Sequence, residues 1–327
     1  MTTNRRQLLS FMSGALASTI ITPAFGQKTE GWPEKSIRLI VPMNAGGAAD
    51  IWARILVPSL GEALGRQLYV ENHGGAGGLI GSKIVADAAP DGYTLLLSGM
   101  SSQVISPATN NSANDPLRDF THIAYLGGPP LVFVVHPSLQ VKTFENLIAL
   151  LRSNKNIGYA SPGFGTFSNL FAELLFKTEG LKLDHVPYKG ASAAMADIIG
   201  GHVKIGCMTW TTAAPFIKAG SVLALAVSSS ERIPDAAAVP TLKELGYPKL
   251  VETTWFALSG PARMPASIVQ RINREVIKAL TSPQVQKQLE RDVLLTQPMS
   301  PQQFTEFVRG QIDLWGPIAL EVSKSTR

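Results

Sequence analysis

The segment from Ser36 to Asp50 constrains the fold more than any other part of the sequence. It opens with the aliphatic run Ile37–Val41, whose β-branched composition is typical of a buried strand. A turn containing Gly46 and Gly47 follows, and the pattern then becomes that of an amphipathic helix. Such a turn leaves backbone N–H groups unpaired at the positive end of the helix dipole, where an anion is favoured. The segment therefore predicts either a neutral cradle for a small anion or an ordinary strand-to-helix connection with nothing bound.

The same arrangement recurs twice farther along the chain. A strand pattern that ends near Ser161 leads into a glycine turn up to Ser168, and a third turn covers Lys189–Ser192. Strand and helix patterns alternate over most of the sequence, which argues for parallel sheets covered by helices. We therefore expect an α/β fold. A chain of 327 residues with 45% hydrophobic content is long enough for two domains.

Residues 1–27 have the composition of a cleaved signal peptide. Arg5 and Arg6 precede an apolar stretch, and a small-residue pattern follows at Pro23–Gly26. The paired arginines leave both the Sec and the Tat export routes open, while an uncleaved membrane anchor is less favoured because Ser and Thr interrupt the stretch. Without the two arginines the net charge falls from +5 to +3, spread along the chain. Nucleic acid is therefore not an expected partner.

Patterns that would indicate catalysis or metal binding are weak. The five histidines include no pair at metal-ligand spacing, and the single cysteine, Cys207, forms no cysteine cluster beside them. The sequence contains neither a nucleophile elbow nor a Walker phosphate loop. The run from Gly163 approaches a dinucleotide fingerprint, but Ser168 stands in place of its third glycine. We therefore expect no metal, no cofactor and no catalytic residue, and a cofactor-dependent enzyme is the less favoured alternative.

Short motifs spread over the chain after the signal peptide are similar to those of one family. They are Trp32-Pro33, Ile37–Pro42, Gly46-Gly47 with Asp50 and Arg54, Val70–Asn72, Gly75–Gly78, Pro90–Leu96, Ser161–Gly165, Val186–Gly190, Phe216–Gly220, Leu225–Val227, Val239–Gly246 and Trp255-Phe256. On these motifs the chain resembles the Bug family, also called the TctC-like substrate-binding proteins of tripartite tricarboxylate transporters. The resemblance implies a periplasmic two-lobed binding protein of the type II, Venus-flytrap class, with a doubly wound sheet in each lobe.

The resemblance also implies a function and a division into domains. A small carboxylate is expected to bind between the lobes, held by backbone groups and ordered waters from Asn44–Gly47 and Ser161–Ser168. The expected partners are membrane subunits similar to TctA and TctB, and an exported sensor acting through a signalling protein remains an alternative. A monomer is expected. Lobe 1 is expected to hold residues 28–129 and 259–327, and lobe 2 residues 130–258, with crossing strands near 131–136 and 255–258.

Several residues of this expected site depart from the family pattern. Asn44 replaces a usual alanine and is expected to add an amide contact, Thr166 stands for a usual serine, and Asn169 stands for a frequent histidine. Met208 stands where many members carry an aspartate that could pair with a ligand ammonium group. A methionine cannot, so a carboxylate with an aromatic or apolar body is favoured over an amino acid. Asp50 is expected either to complement the helix dipole or to bind across the cleft.

The expected binding residues combine the two turns with side chains placed near the cleft. Phe164 is favoured as a cleft residue, whereas Phe167 fits the cleft and the core equally well. The full set of ligand-binding candidates is Met43, Asn44, Ala45, Gly46, Gly47, Asp50, Met100, Ser101, Ser161, Gly163, Phe164, Gly165, Thr166, Phe167, Ser168, Ala191, Met208 and Trp210.

Overall fold

Two five-stranded sheets with helices packed against them make up the molecule. The computed structural model describes residues 31–110, 114–153, 157–291, 293–294 and 296–326. The expected signal peptide, residues 1–27, lies outside the described residues. The α/β class expected from the alternating pattern is confirmed.

The first sheet gathers strands from both ends of the described chain. Its strands are β1 (Ile37–Val41), β2 (Leu68–Asn72), β3 (Thr94–Gly99), β4 (Phe120–Gly127) and β10 (Phe256–Pro261). Their order in the sheet is β2-β1-β3-β10-β4. Strand β1 is parallel to β2 and β3, whereas β10 is antiparallel to both of its neighbours. Most residues of β1 and β3 are buried, as expected for strands covered on both faces.

The second sheet repeats this plan. Its strands are β5 (Leu131–Val135), β6 (Tyr159–Ser161), β7 (His185–Pro187), β8 (Ile205–Thr209) and β9 (Leu223–Val227), in the order β7-β6-β8-β5-β9. Strand β6 is parallel to β7 and β8, and β5 is antiparallel to β8 and β9. The antiparallel strand of each sheet enters from the other sheet, since β5 directly follows β4 and β10 follows the connection after β9.

The helices cover the sheets and join successive strands. They are α1 (Ala48–Leu64), α2 (Leu79–Ala86), α3 (Ser106–Thr109), α4 (Phe144–Ser153), α5 (Phe167–Thr178), α6 (Ala191–Ile199), α7 (Trp210–Lys218), α8 (Ala266–Leu280), α9 (Pro283–Arg291) and α10 (Pro301–Thr326). A π turn, Ser101–Ile105, precedes α3, and 3₁₀ turns cover Ala76–Gly78, Pro137–Leu139, Pro234–Ala236 and Pro248–Leu250. Among the described helices, none combines the length and apolar character needed to span a membrane.

Two extended segments pass between the sheets side by side. The backbone N–H of Thr254 donates to the carbonyl of Pro129 at 3.2 Å, and that of Trp210 donates to the carbonyl of Pro130 at 2.8 Å. Gly128 has no room for a side chain, because a Cβ atom there would overlap the carbonyl oxygen of Thr254. The crossing therefore occurs just before β5 and just before β10.

The predicted domain division differs from the sheets at one place. The boundary between residues 258 and 259 would divide β10, whereas Phe256–Pro261 pair as one strand with β3 and β4 of the first sheet. The crossing segment therefore ends at Trp255, and Phe256–Leu258 belong to the first sheet rather than to lobe 2. A short run such as Trp255–Leu258 carries no signal for which sheet it joins. The rest of the division stays a prediction.

Helix α10 packs against elements of both sheets. Phe304 is fully buried, and its ring centroid lies 5.1 Å from that of His122 on β4. At the middle of the helix, the Trp315 ring packs edge-on against Phe167 of α5, with the ring centroids 5.2 Å apart. These side chains belong to one hydrophobic cluster that also contains Phe133 of β5. The core of the second sheet thus continues onto the first through α10.

We expect Phe304→Ala to lower the free energy of unfolding by about 3–5 kcal/mol, because it leaves a cavity among buried aromatic rings. Leu314→Ala is the matched control, since this side chain of the same helix is 53% exposed. The control should change stability by no more than about 0.5 kcal/mol. Urea unfolding followed by circular dichroism measures both variants. Equal stabilities would contradict the role of α10 as a packed connection.

Candidate ligand-binding site

The first turn of the site, Pro42–Gly47, joins β1 to α1. Gly46 has a φ of +81°, a left-handed conformation that glycine adopts without strain. Gly47 is the N-cap of α1, so the N–H groups of Ala48 and Ala49 have no acceptor within the helix. The turn therefore presents unpaired donors at the positive end of a 17-residue helix.

The second turn, Pro162–Thr166, joins β6 to α5 in the same way. Gly165 has a φ of +74°, again in the left-handed region. Thr166 is the N-cap of α5, and its Oγ1 accepts the N–H of Asn169 at 3.3 Å. The N–H of Ser168 has no acceptor within the helix. The two strand–turn–helix units singled out in the sequence therefore have equivalent geometries, one on each sheet.

A cavity, here called the main cavity, lies where these turns face each other. Two more helices begin at its wall, since Gly190 is the N-cap of α6 and Thr209 is the N-cap of α7. It encloses about 520 Å³, counting the part open to solvent. Among the described residues, the side chains lining it are all uncharged. They belong to Met43, Asn44, Gly47, Ala48, Ala49, Ser101, Pro162, Thr166, Phe167, Ser168, Gly190, Ala191, Thr209, Thr254 and Phe256.

A second space, the adjoining cavity, shares part of this wall. It encloses about 560 Å³ by the same measure, and Met43, Asn44, Pro162, Thr166 and Gly190 border both cavities. Its remaining wall is more polar and includes a basic residue. That wall consists of Gly74, Gly75, Ala76, Gly77, Asn110, Gly163, Phe164, Tyr188 and Lys189.

Hydrogen bonds cross the cleft between the first turn and the start of α6. Ser192 Oγ donates to the carbonyl of Ala45 at 2.9 Å, and the side-chain amide of Asn44 donates to the carbonyl of Lys189. Gly46 lies against the same serine, whose Oγ would be 2.6 Å from a Cβ atom at that position. Asn44 therefore contacts the opposite wall of the cleft.

A second group of contacts crosses the cleft next to α5. Ser106 Oγ lies 3.0 Å from the carbonyl oxygen of Gly77 and 2.8 Å from that of Gly165, so it links the two sides. The N–H of Phe167 donates to Ser101 Oγ at 3.0 Å. Together with the contacts at α6, these bonds hold the cleft in a closed arrangement.

Most of the predicted binding residues border these cavities or the contacts between the two sides. The main cavity is lined by Met43, Asn44, Gly47, Ser101, Thr166, Phe167, Ser168 and Ala191, and the adjoining cavity also reaches Gly163 and Phe164. Ala45, Gly46 and Gly165 take part in contacts across the cleft. Phe167, which fitted core and cleft equally in the sequence, borders the cavity while its ring is almost fully buried.

Two predicted residues lie beneath the turns instead of at the cavity wall. Ser161 is fully buried at the end of β6 and bonds to Gly163 of its own turn. Asp50 is 3% exposed and accepts hydrogen bonds from Arg54 and from the N–H of Gly46. Burial alone would raise the pKa of Asp50, but these hydrogen bonds outweigh burial and lower it. Asp50 therefore faces its own turn rather than the opposite side of the cleft.

Three predicted residues lie away from the site. Met100 is fully buried in the core cluster that includes α10. Met208 is fully buried on β8 opposite Val132, and because side chains alternate along a strand, the next residue, Thr209, reaches the main cavity instead. Trp210 borders a separate cavity beside α7. The inference from Met208 about a ligand ammonium group therefore has no structural basis.

The sequence did not identify every residue of the main cavity wall. Ala48, Ala49 and Pro162 could have been inferred, since they adjoin the turns directly. Gly190 was recognisable as part of the third strand–turn–helix unit. Thr254 lies in the crossing segment and Phe256 is the first residue of β10. Both are far away in sequence, and no local pattern marks them as neighbours of the turns.

His185 lies under the second turn and is held in its neutral form. Its Nε2 is 2.7 Å from Ser161 Oγ, and its ring stacks on Tyr159 with centroids 4.9 Å apart. Burial lowers the pKa of His185 to about 4, below the ordinary value of 6.5. The unfolded chain therefore binds a proton between these values that the folded chain does not, and stability falls as the pH falls through this range.

We expect His185→Asn to make stability less dependent on pH between 6.5 and about 4. The slope should become shallower by less than about 1.4 kcal/mol per pH unit, the limit for one proton. Urea unfolding at pH 7, 6, 5 and 4 provides the comparison. His202→Asn, a change at an exposed histidine, is the control and should keep the wild-type slope. An unchanged slope in His185→Asn would contradict a buried neutral imidazole.

The chain is similar to one protein family and to several solved structures. The sequence matches the family described as tripartite tricarboxylate transporter family receptor over residues 52–323. Protein BugT of Bordetella pertussis is 32% identical over 322 residues, which cover 97% of this chain and 98% of BugT. MatC of Rhodopseudomonas palustris, solved with bound malate, has a TM-score of 0.83 at 29% identity, covering 88% of this chain and 99% of MatC. R. palustris Rpa4515, solved with adipate, has a TM-score of 0.84 at 27% identity, covering 90% and 98%.

These matches extend over most of the chain and include both sheets. They confirm the resemblance drawn from the sequence motifs and the two-lobed architecture that it implied. The matching family is one of receptors, which confirms the expectation of a binding protein rather than an enzyme. The chain belongs to the family of tripartite tricarboxylate transporter receptors, the Bug or TctC-like solute-binding proteins.

Proposed function

We propose that this protein is a periplasmic solute-binding protein that captures a small carboxylate in the main cavity. The observation that carries the proposal is the convergence of four helix N-termini, from both sheets, on one cavity whose described wall has no charged side chain. Unpaired N–H groups at such positions favour an anion. A carboxylate is small enough to be contacted by donors on both sides of the cleft.

Backbone donors and apolar contact together supply the binding free energy without a charged side chain. A hydrogen bond to a charged group contributes about 1.5–3 kcal/mol. Micromolar affinity corresponds to about 8 kcal/mol, so a few such bonds, together with apolar contact, reach it after the costs of ordering the ligand and the cleft. A lysine or arginine in the main cavity is therefore unnecessary.

The related structures support this ligand class. Malate, bound in MatC, and adipate, bound in Rpa4515, are different in polarity and length, and the chemistry they share is the carboxylate. A site that accepts such different ligands should therefore bind them mainly through the carboxylate. The paired turns fit that requirement, because their donors belong to the backbone.

The walls suggest the rest of the ligand. Met43 and Phe256, which are both half-buried, give the main cavity apolar surfaces, which suit an aromatic or otherwise apolar body. The adjoining cavity carries Asn110 and the exposed Lys189 and could receive a second carboxylate. We therefore favour a mono- or dicarboxylate with an apolar body as the ligand.

Closure links capture to delivery. Donors from both sides of the cleft can reach one carboxylate only when the cleft is closed, so the ligand selects the closed state. Membrane subunits of the TctA and TctB type would then recognise the closed form and accept the ligand for uptake. Capture at the periplasmic face fits the signal peptide expected for residues 1–27.

A free carboxylate should be necessary for binding. We expect a thermal-shift screen of aliphatic and aromatic mono-, di- and tricarboxylates, including adipate, malate and benzoate, to reveal stabilising ligands. At about a hundredfold excess over Kd the ligand adds about 2.7 kcal/mol to the free energy of unfolding. The methyl esters and amides of the same acids should give no shift. Stabilisation by the esters, or chemical conversion of a bound ligand, would contradict the proposal.

A matched pair of variants tests whether that ligand binds in the main cavity. Ala191→Leu fills the main cavity at the start of α6 and should abolish the shift, whereas Ala193→Leu adds the same volume at an exposed position of the same helix. The control should bind as the wild type does. Equal binding by both variants would show that the ligand lies elsewhere.

Loss of a hydrogen bond that crosses the cleft should weaken ligand binding, even though the changed side chain does not contact the ligand. We expect Ser192→Ala to raise the Kd for the stabilising carboxylate about two- to tenfold, because the bond from Ser192 Oγ to Ala45 contributes about 0.5–1.5 kcal/mol to the closed form. Small-angle scattering should also show a more open ligand-free state. Ser153→Ala removes a hydroxyl that bonds only within its own helix, and it should match the wild type in both measurements.

A further inference from the structure

The two turns share a detail that goes beyond the start of a helix. In each helix the third residue turns its side chain back to the glycine that precedes the N-cap. Asp50 Oδ2 accepts the N–H of Gly46 at 3.0 Å, and Asn169 Oδ1 accepts the N–H of Gly165 at 3.3 Å. Both acceptors are almost fully buried. The N–H of each glycine is therefore already used and is not available to a ligand.

Further donors surround Asp50. Arg54 Nε donates to Oδ2 at 2.8 Å, and Asn72 Nδ2 donates to Oδ1 at 3.1 Å. Asn72 Nδ2 also lies 3.1 Å from the carbonyl oxygen of Met43, a residue of the main cavity wall. Asp50 and Asn72 thus hold the first turn at both of its ends. Arg54 also compensates the negative charge of the carboxylate.

Asn169 belongs to a longer chain of hydrogen bonds. Because its Oδ1 accepts the N–H of Gly165, its Nδ2 must donate, and it lies 2.8 Å from Tyr159 Oη and 3.3 Å from His185 Nδ1. The proton of His185 is therefore on Nε2, which donates to Ser161 Oγ at 2.7 Å.

This chain of hydrogen bonds then reaches the other end of the second turn through Ser161. Ser161 Oγ lies 3.3 Å from the carbonyl oxygen of Gly163 and accepts the N–H of the same residue at 3.2 Å. Asn169 therefore holds one end of the second turn directly and the other end through His185 and Ser161. This arrangement parallels the one formed by Asp50 and Asn72 in the first turn.

We propose that Asp50 and Asn169 are a matched pair of positioning residues, one beneath each turn. They fix the backbone so that the N–H groups of Ala48 and Ala49 in α1 and of Ser168 in α5 face the ligand, since Phe167 and Asn169 already use theirs. The inference rests on the proposed capture of a carboxylate. Each position needs a hydrogen-bond acceptor, yet an uncompensated negative charge there would oppose an anion. The first turn uses an aspartate with Arg54 beside it, and the second uses an uncharged amide.

Amide hydrogen exchange in the ligand-free protein tests the positioning directly. In Asn169→Ala the Gly165 amide should exchange at least tenfold faster while that of Gly46 is unchanged, and Asp50→Ala should give the reverse. Asn273→Ala is the control, because that buried amide bonds to the carbonyls of Ile123 and Met299, outside the cleft. If both turns in the alanine variants exchange as they do in the control, the proposal is overturned.

Two milder variants separate the positioning from the charge. Asn169→Asp keeps an oxygen facing Gly165, and Arg54→Gln keeps the carboxylate facing Gly46, but each leaves a negative charge without its compensation. Both should retain the slow exchange of the two glycine amides. Both should bind adipate more weakly than the wild type, and this difference should shrink between 10 and 500 mM salt. Fast exchange of the glycine amides in these variants would overturn the proposal even if the alanine variants fail to fold.

Calorimetric titration with adipate completes the test. Asn169→Ala and Asp50→Ala should raise the Kd at least tenfold, while Asn273→Ala should keep the wild-type value. Unchanged affinity in the first two would overturn the proposal. If no carboxylate of the thermal-shift screen binds the wild type, the ligand class proposed above fails, whereas the exchange measurements still decide whether the two side chains position the turns.

Discussion

The architecture depends on backbone N–H groups that no helix can satisfy by itself. The first turn of every α-helix leaves such donors without acceptors, and here four helices begin at one cavity. Each follows a strand of a sheet or a short turn after one, so these helix starts gather at the carboxyl ends of the strands, where open α/β sheets bind ligands. Because the two sheets face each other across the cavity, an anion bound between them would be contacted from both sides.

Each sheet contains one strand that enters from the other sheet, so the connections between the sheets form a hinge. Strand β5 enters the second sheet directly after β4, and β10 returns to the first sheet through the segment that ends at Trp255. Both connections pass side by side at Pro129 and Thr254, and Thr254 also borders the main cavity. A change in the angle between the sheets must therefore move these connections, and with them the part of the cavity wall that contains Thr254. Helix α10 spans the same division and shares its core with both sheets.

Local sequence patterns predicted the units of this fold well. The strand, glycine turn and helix around Gly46 and Gly165 were identified correctly, because hydrophobic period and glycine positions are local properties. Prolines also stand at or just before the starts of α8, α9 and α10, at Pro265, Pro283 and Pro301, where the missing N–H costs nothing. The α/β class followed from the alternation of these units.

The errors arose where the answer depends on distant parts of the chain. Met208 lies on a strand that is buried on both faces, so its sequence does not indicate which side chains face the cavity. The pairing of β8 with β5 determines which side chains of the strand point to each face. It places Met208 in the core and Thr209 at the cavity. Phe256, the first residue of β10, likewise reaches the cavity through the pairing of that strand with β3 and β4. Family motifs located the turns, but they could not supply these neighbours.

The absence of charged side chains among the described residues of the main cavity has a consequence for how such a protein works. A ligand shifts a conformational equilibrium only through its differential affinity for the two states. An arginine on one side of the cleft would bind a carboxylate in the open state as well, and that part of the affinity would not favour closure. Donors such as the N–H groups of Ala48 and Ser168 act together only when the cleft is closed. Weak neutral donors on both sides therefore convert more of the binding free energy into closure than one strong cation could.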